Sequence, residues 1–199
     1  MNATGQVTAG ATVPTGSPLV VGLDLALSTT GVAGPGWVDH VRAGKGVVGA
    51  ERLHAILVGA AKFYRRADLV VVEGAAFSRA LQRGHDELAA LRWLVRLDLW
   101  RRRIPCAVVP PDNRTIYATG KARWRGESPR QVKGRVRDAV AARYGVECEG
   151  PARYDEADAY VLTAMGRDWL GWPLAEVPPS HARALTGVAW PADVVAAAR

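Results

Sequence analysis

Cysteine is scarce in this chain of 199 residues: Cys106 and Cys148 stand far apart, and no CxxC pair occurs. Neither a structural zinc site nor a disulfide framework is indicated. Cys106, between Ile104-Pro105 and Ala107-Val108-Val109, reads as a small buried hydrophobe. Long apolar runs are lacking too. Nothing reads as a membrane span or a secretory leader, so the expected compartment is the cytoplasm, with no membrane partner. Internal repeats are missing. Acidic residues are the minority, 19 against 26 Lys and Arg, which leaves a net charge of +7 and a pI near 9.9. A basic balance permits a polyanionic partner, either nucleic acid or an acidic membrane surface, without requiring one. What is present is a globular composition, 49% hydrophobic, at a length that suits one domain with a real core.

Residues 1–17 are rich in Gly, Thr, Ala and Ser and read as a flexible N-terminal tail. Residues 18–170 read as the domain, and residues 171–199, punctuated by prolines, as a C-terminal extension, with room for a short last helix. Within the domain a first strand covers about Leu19 to Leu25. "VAGPGWVDHVRAG" holds one or two further strands around a Gly-Pro-Gly turn. A helix is expected from Ala50 to Tyr64, a buried strand from Leu69 to Val72, a helix from His85 to Arg102, and a strand stopped by Pro110 and Pro111. "PDNRTIYATG" is a short helical stretch ending at Gly120. Ser128-Pro129-Arg130-Gln131 has the form of a helix start, with Ser128 as cap and Gln131 reaching back. That helix should end at Gly145, and a last core helix should run from Asp155 to Trp169. Strands first, then strands alternating with helices, predict an α/β layered domain.

One residue does not belong in the first strand. Asp24 interrupts a run of Leu and Val, and a carboxylate there is costly unless something pairs with it. A second acid, Glu73, closes the strand "LVVVE". A third and fourth, Asp155 and Asp158, share one face of the first turn of a helix, and Glu156 between them points elsewhere. Each alone has an ordinary reading: a turn cap, a strand end, a helix cap, a solvated residue. Together they form a cluster that repels itself unless cations are bound. Magnesium is commonly held by a few carboxylates with waters and substrate phosphate. Two such ions about 3.5–4 Å apart can activate water and stabilise a leaving oxygen in phosphodiester hydrolysis.

The ordered set "VVGLDLALSTTGVA", "LVVVEGAAF", "VVPPDNRTIYATGKA", "VKGRVRDAVAARYG" and "DEADAYVLTAMG", spanning about residues 19–168, resembles the RuvC-like Holliday-junction resolvases of the ribonuclease H-like superfamily. The resemblance implies a mixed β-sheet with helices on both faces. It also implies magnesium-dependent nicking of branched DNA, usually by a homodimer, with two Mg2+ ions for which Mn2+ could substitute. It assigns Asp24, Glu73, Asp155 and Asp158 as metal ligands and catalytic acids. An aromatic residue follows the glutamate closely in that family. The candidate here is Phe77, after an apparent one-residue insertion, and a contact to the junction and a plain core role both stay open.

"TGKARWRGESPRQVKGRVR" supplies Lys121, Arg123, Arg125, Arg130, Lys133 and Arg137 as candidate DNA contacts. On the helix from Pro129, Val132, Val136, Ala139 and Val140 make a core stripe, and Arg130, Lys133 and Arg137 fall on another face. A row of cations can follow a phosphate backbone without reading bases. Lys133 matches the family's lysine on this helix. Trp124 has two readings, a base-stacking platform or a loop anchor. The helix "HDELAALRWLVRLDLWRR" carries two apolar stripes, Leu88-Leu91-Val95-Leu99 and, opposite, Ala90-Trp93-Leu97-Trp100. The first reads as core. Trp93, Leu97 and Trp100 of the second read as a homodimer surface.

Three other functions compete. One is a ribonuclease H-like nuclease on another substrate such as an RNA–DNA hybrid. Another is a non-catalytic DNA-binding protein, against which all four acids speak. The third is an actin-like or sugar-kinase ATPase, since "GLDLALSTTG" resembles a phosphate-binding hairpin. Such enzymes need two such domains, so no nucleotide cofactor is expected.

Overall fold

The computed structural model describes residues 16–75 and 84–192. Most of the expected N-terminal tail, and Phe77, lie outside the described residues. β1 (Val20–Asp24), β2 (Thr30–Gly34) and β3 (Trp37–Val41) form an antiparallel meander, and β4 (Leu69–Glu73) and β5 (Cys106–Val109) add in parallel beyond β1. The strand order is β3-β2-β1-β4-β5. The "VAGPGW" segment makes two strands because Gly36, at φ 80°, supplies the left-handed residue of a two-residue hairpin turn.

Helices cover both faces, as a mixed α/β sheet requires. On one face lie α1 (Gly49–Tyr64) and α2 (His85–Arg101), whose Ile56, Ala60, Tyr64, Leu91, Val95 and Leu99 pack on Val21, Leu23, Val70 and Val72. Each fully buried Leu or Val contributes about 1.5–3 kcal/mol. On the other face lie α3 (Pro111–Thr119), α4 (Pro129–Tyr144) and α5 (Arg153–Trp169), packed on Val20, Leu69, Val71, Ala107 and Val109. Alternation along the strands sorts the two sets. Pro111 does more than end β5, for it opens α3. Ser128 and Gln131 form the expected capping box on α4, and Gly145 ends that helix with φ 67°. Cys106 is only half-buried, because it sits on the last strand of the sheet.

Two glycines set how closely α5 approaches the sheet. A Cβ on Gly22 of β1 would overlap the Ala159 carbonyl, and one on Gly31 of β2 would overlap the Asp155 carbonyl. α5 therefore lies nearly on the backbone of β1 and β2, with its N-terminal turn above the end of β1.

The C-terminal segment folds back on the α3 side. α6 (Pro179–Ala182) and the 3-10 turn Arg183–Gly187 follow one another, and Ala189 bridges to Val108 on the outer strand. Trp190 stacks on Trp169 with ring centroids 4.8 Å apart. Asn113 Nδ2 donates to the Ala184 carbonyl at 2.7 Å, and Arg183 donates to the Gly120 carbonyl at 3.2 Å. His181 Nδ1 lies 3.0 Å from the Tyr117 carbonyl. This segment supplies partners to the end of α3, where backbone carbonyls have none within the helix. Among the described residues no helix is long and apolar enough to cross a membrane.

Candidate active site

Asp24 and Glu73 end neighbouring parallel strands. The pairing Leu23 to Val72 puts them one step further on in the same register. Both point to the α5 face, like Val20 and Gly22, Leu69 and Val71 before them. Asp24 also stands opposite Gly31, the residue pressed against Asp155. α5 begins at Arg153, two residues before the expected start, so Asp155 lies in its first turn and Asp158 in its second, and both come to the same edge of the sheet near the positive end of that helix. Glu156 turns away, and its carboxylate lies 2.8 Å from His40 Nδ1 on β3.

Two cations enter this acidic cluster. Arg114, from α3, donates through Nε to Glu73 at 2.7 Å and through Nη1 to Asp158. Lys133, from α4, reaches Asp155 at 3.4 Å and Asp158 at 3.8 Å. Lys133 thus joins the acids, while Arg130 stays exposed and Arg137 pairs with Asp138. Arg114 is the residue that sequence reading passed over. Its signal is a charged side chain sharing the buried i, i+3, i+4 stripe of α3 with Tyr117 and Ala118.

Asp24 differs from the other three acids. It is 6% exposed and, among the described residues, its carboxylate has no hydrogen-bond or ion-pair partner. Burial, with Glu73 and Asp155 adding repulsion against the pull of Arg114 and Lys133, pushes its pKa up to about 8. Arg92, on α2, is half-buried near Glu73 and Asp24. Burial pulls its pKa below the usual arginine value against the attraction of both acids. Its Nε has no hydrogen-bond partner among the described residues. A cavity of about 180 Å3 opens here, walled by Glu73, Val72, Val108, Arg92, Trp93 and Arg96.

Would a divalent ion suit this site? Among the described residues no three His, Cys, Asp or Glu side chains stand ready as ligands, and Arg114 and Lys133 pair with three of the acids. The donor chemistry does suit one. All four groups offer oxygen, and a bound cation would offset the cost of ionising the buried Asp24 carboxylate.

The exposed cations Lys121, Arg123 and Arg125 lie on the loop between α3 and α4. Trp124 is that loop's anchor: Arg135 and Lys121 sit 4.1 and 5.0 Å from its ring centroid, and its Nε1 donates to Thr119. On α2, Trp93, Leu97 and Trp100 are 65%, 48% and 75% exposed. Among the described residues, the C-terminal segment packs against α3, β5 and α5 and does not cover them.

No protein-family model and no curated protein matches this sequence. Solved structures do match. The Thermus thermophilus RuvC structure aligns with a TM-score of 0.55 at 18% identity, over 80% of this chain and 99% of that one. T. thermophilus RuvC in complex with Holliday junction substrate aligns with a TM-score of 0.53 at 19% identity, over 81% of this chain and 99% of that one.

Proposed function

From its RuvC-like fold, we propose that this chain is a magnesium-dependent endonuclease that nicks four-way or other branched DNA. The observation that carries the reading is Asp24, a buried carboxylate at the end of β1 with no partner among the described residues and with Glu73 and Asp155 as charged neighbours. The solved neighbour bound to a Holliday junction supports the choice of substrate.

Asp24, Glu73, Asp155 and Asp158 would hold Mg2+, with Mn2+ as a substitute. Bound there, the metal supplies activation of water and stabilisation of the leaving oxygen. The chain's own residues do the rest. Lys121, Arg123, Arg125 and Arg130 are exposed and would meet phosphates along the duplex arms. Arg92 and Arg96 line the cavity beside Glu73, where the strand nearest the cut would lie. Arg114 and Lys133 hold the acids in place and keep them from repelling one another. Trp93, Leu97 and Trp100 make the surface of a two-fold homodimer, since monomers tend to avoid large exposed apolar patches. Two sites related by a dyad would suit a junction of approximate two-fold symmetry.

The test is a nuclease assay in magnesium on a four-way junction, a fork, a linear duplex and an RNA–DNA hybrid. Preferential nicking of the junction or the fork is expected. Cleavage of the hybrid alone would favour the ribonuclease H-like alternative, and binding of junctions without any cleavage would leave a DNA-binding protein.

A further inference from the structure

Three of the four acids already have cationic partners. Glu73 accepts from Arg114, Asp155 from Lys133, and Asp158 lies against both. The fourth, Asp24, is more than nine-tenths buried, has no partner among the described residues and faces the cluster. We propose that Arg114 is a built-in cation standing in the place of one divalent ion. The DNA-free protein then takes a single ion, at Asp24, and takes a second only when a DNA phosphate draws the guanidinium away from Glu73 and Asp158. This rests on reading the cluster as a metal centre.

Charge supports it. Arg114 and Lys133 already offset part of the negative charge of the cluster, which leaves less for bound cations to neutralise. Geometry supports it as well. The Arg114 guanidinium spans the end of β4 and the second turn of α5, using separate nitrogens for Glu73 and Asp158. A second ion held by those two acids would need the same space. Arginine stays charged throughout the working range of pH, so deprotonation does not vacate the site. An anion can. The guanidinium fork matches phosphate as well as carboxylate, so an incoming phosphate competes for Arg114 on equal chemical terms. The backbone beneath it need not move, because the C-terminal segment holds α3 at Asn113, Tyr117 and Gly120.

The experiment counts Mn2+ on the full-length protein, by calorimetric titration and by electron paramagnetic resonance. Resonance separates isolated ions from coupled pairs. Expected are one isolated ion per chain in the DNA-free wild type, one in Arg114→Lys, and two, coupled, in Arg114→Gln. The wild type bound to a cleavage-resistant phosphorothioate four-way junction should take two. Two ions in the DNA-free wild type would overturn the proposal and leave the metal centre standing, as would a single ion in a folded Arg114→Gln or in the junction complex. No Mn2+ binding in any form would overturn the metal centre along with it. Should Arg114→Gln fail to fold, the wild type with and without the junction still decides.

Discussion

The Gly22 N–H donates to Thr163 Oγ1 at 3.0 Å, and that hydroxyl donates in turn to the Ala33 carbonyl at 2.9 Å. One side chain thus ties α5 to β1 and β2 where the absence of a Cβ on Gly22 lets the helix come closest. Thr163→Val keeps the shape and removes both bonds, leaving buried backbone groups unsatisfied. The expected cost is about 1–3 kcal/mol, read from urea unfolding. Thr163→Ser should recover most of it.

Asp24→Asn replaces a buried acid, without a partner among the described residues, by a neutral amide. The metal-free protein should become more stable by about 1 kcal/mol, roughly 2–4 °C in melting temperature. Mg2+ should raise the melting temperature of the wild type, and in the variant both that shift and nuclease activity should vanish. Thermal melts with and without Mg2+ check both. A variant that keeps the full Mg2+ shift would remove Asp24 from the metal site.

Asp98 on α2 accepts from Tyr64 at 2.8 Å and from Arg102 at 2.7 Å. Burial works to raise its pKa, but those two hydrogen bonds bring it below the usual 3.8. Between its folded value and 3.8 the unfolded chain binds more protons. The stability Asp98 contributes is therefore whole above about pH 4 and is lost as pH falls through the folded value. Asp98→Asn should cost about 1.5–3 kcal/mol at neutral pH, and its stability should fall less steeply than the wild type's in acid. Paired unfolding titrations from pH 2 to 7 read the difference, and parallel curves would refute it.

Trp93→Glu with Trp100→Glu changes two exposed rings on a helix whose opposite stripe makes the core. Stability should stay within about 1 kcal/mol of the wild type. Sedimentation should show a wild-type dimer and a monomeric double variant. A wild type that is monomeric at tens of micromolar would remove this face from any interface.

The four acids were legible because a carboxylate in an apolar strand, or two of them on one helical face, violates a local pattern, and such violations gather where chemistry happens. The core stripe of α2 was legible because its helical period picks out Leu91, Val95 and Leu99, which are buried, whereas the same period at Trp93, Leu97 and Trp100 marks a face that stays exposed. Arg114 was not, because a short polar helix gives few residues from which to read a face, and only the folded α3 shows Arg114 beside Tyr117 on the buried side. Lys133 read as one of a row of outward cations. Its turn toward Asp155 depends on how α4 packs against α5, which no spacing within α4 encodes. The place of the C-terminal segment was equally hidden, because its hydrogen bonds reach partners 63 to 71 residues earlier in the chain.

That separation has a consequence for timing. α3, which carries Arg114, emerges from the ribosome well before Gly120, Tyr117 and Asn113 can meet Arg183, His181 and Ala184. At ordinary rates of synthesis the interval is roughly 3–14 s. During it a nascent chain has its sheet strands and all four of its acids, Asp24, Glu73 and later Asp155 and Asp158, before α3 is fastened. The last stretch to be translated is therefore what fastens the helix bearing Arg114, so a ribosome stalled short of residue 180 would carry a cluster of acids whose principal counter-charge is not yet held.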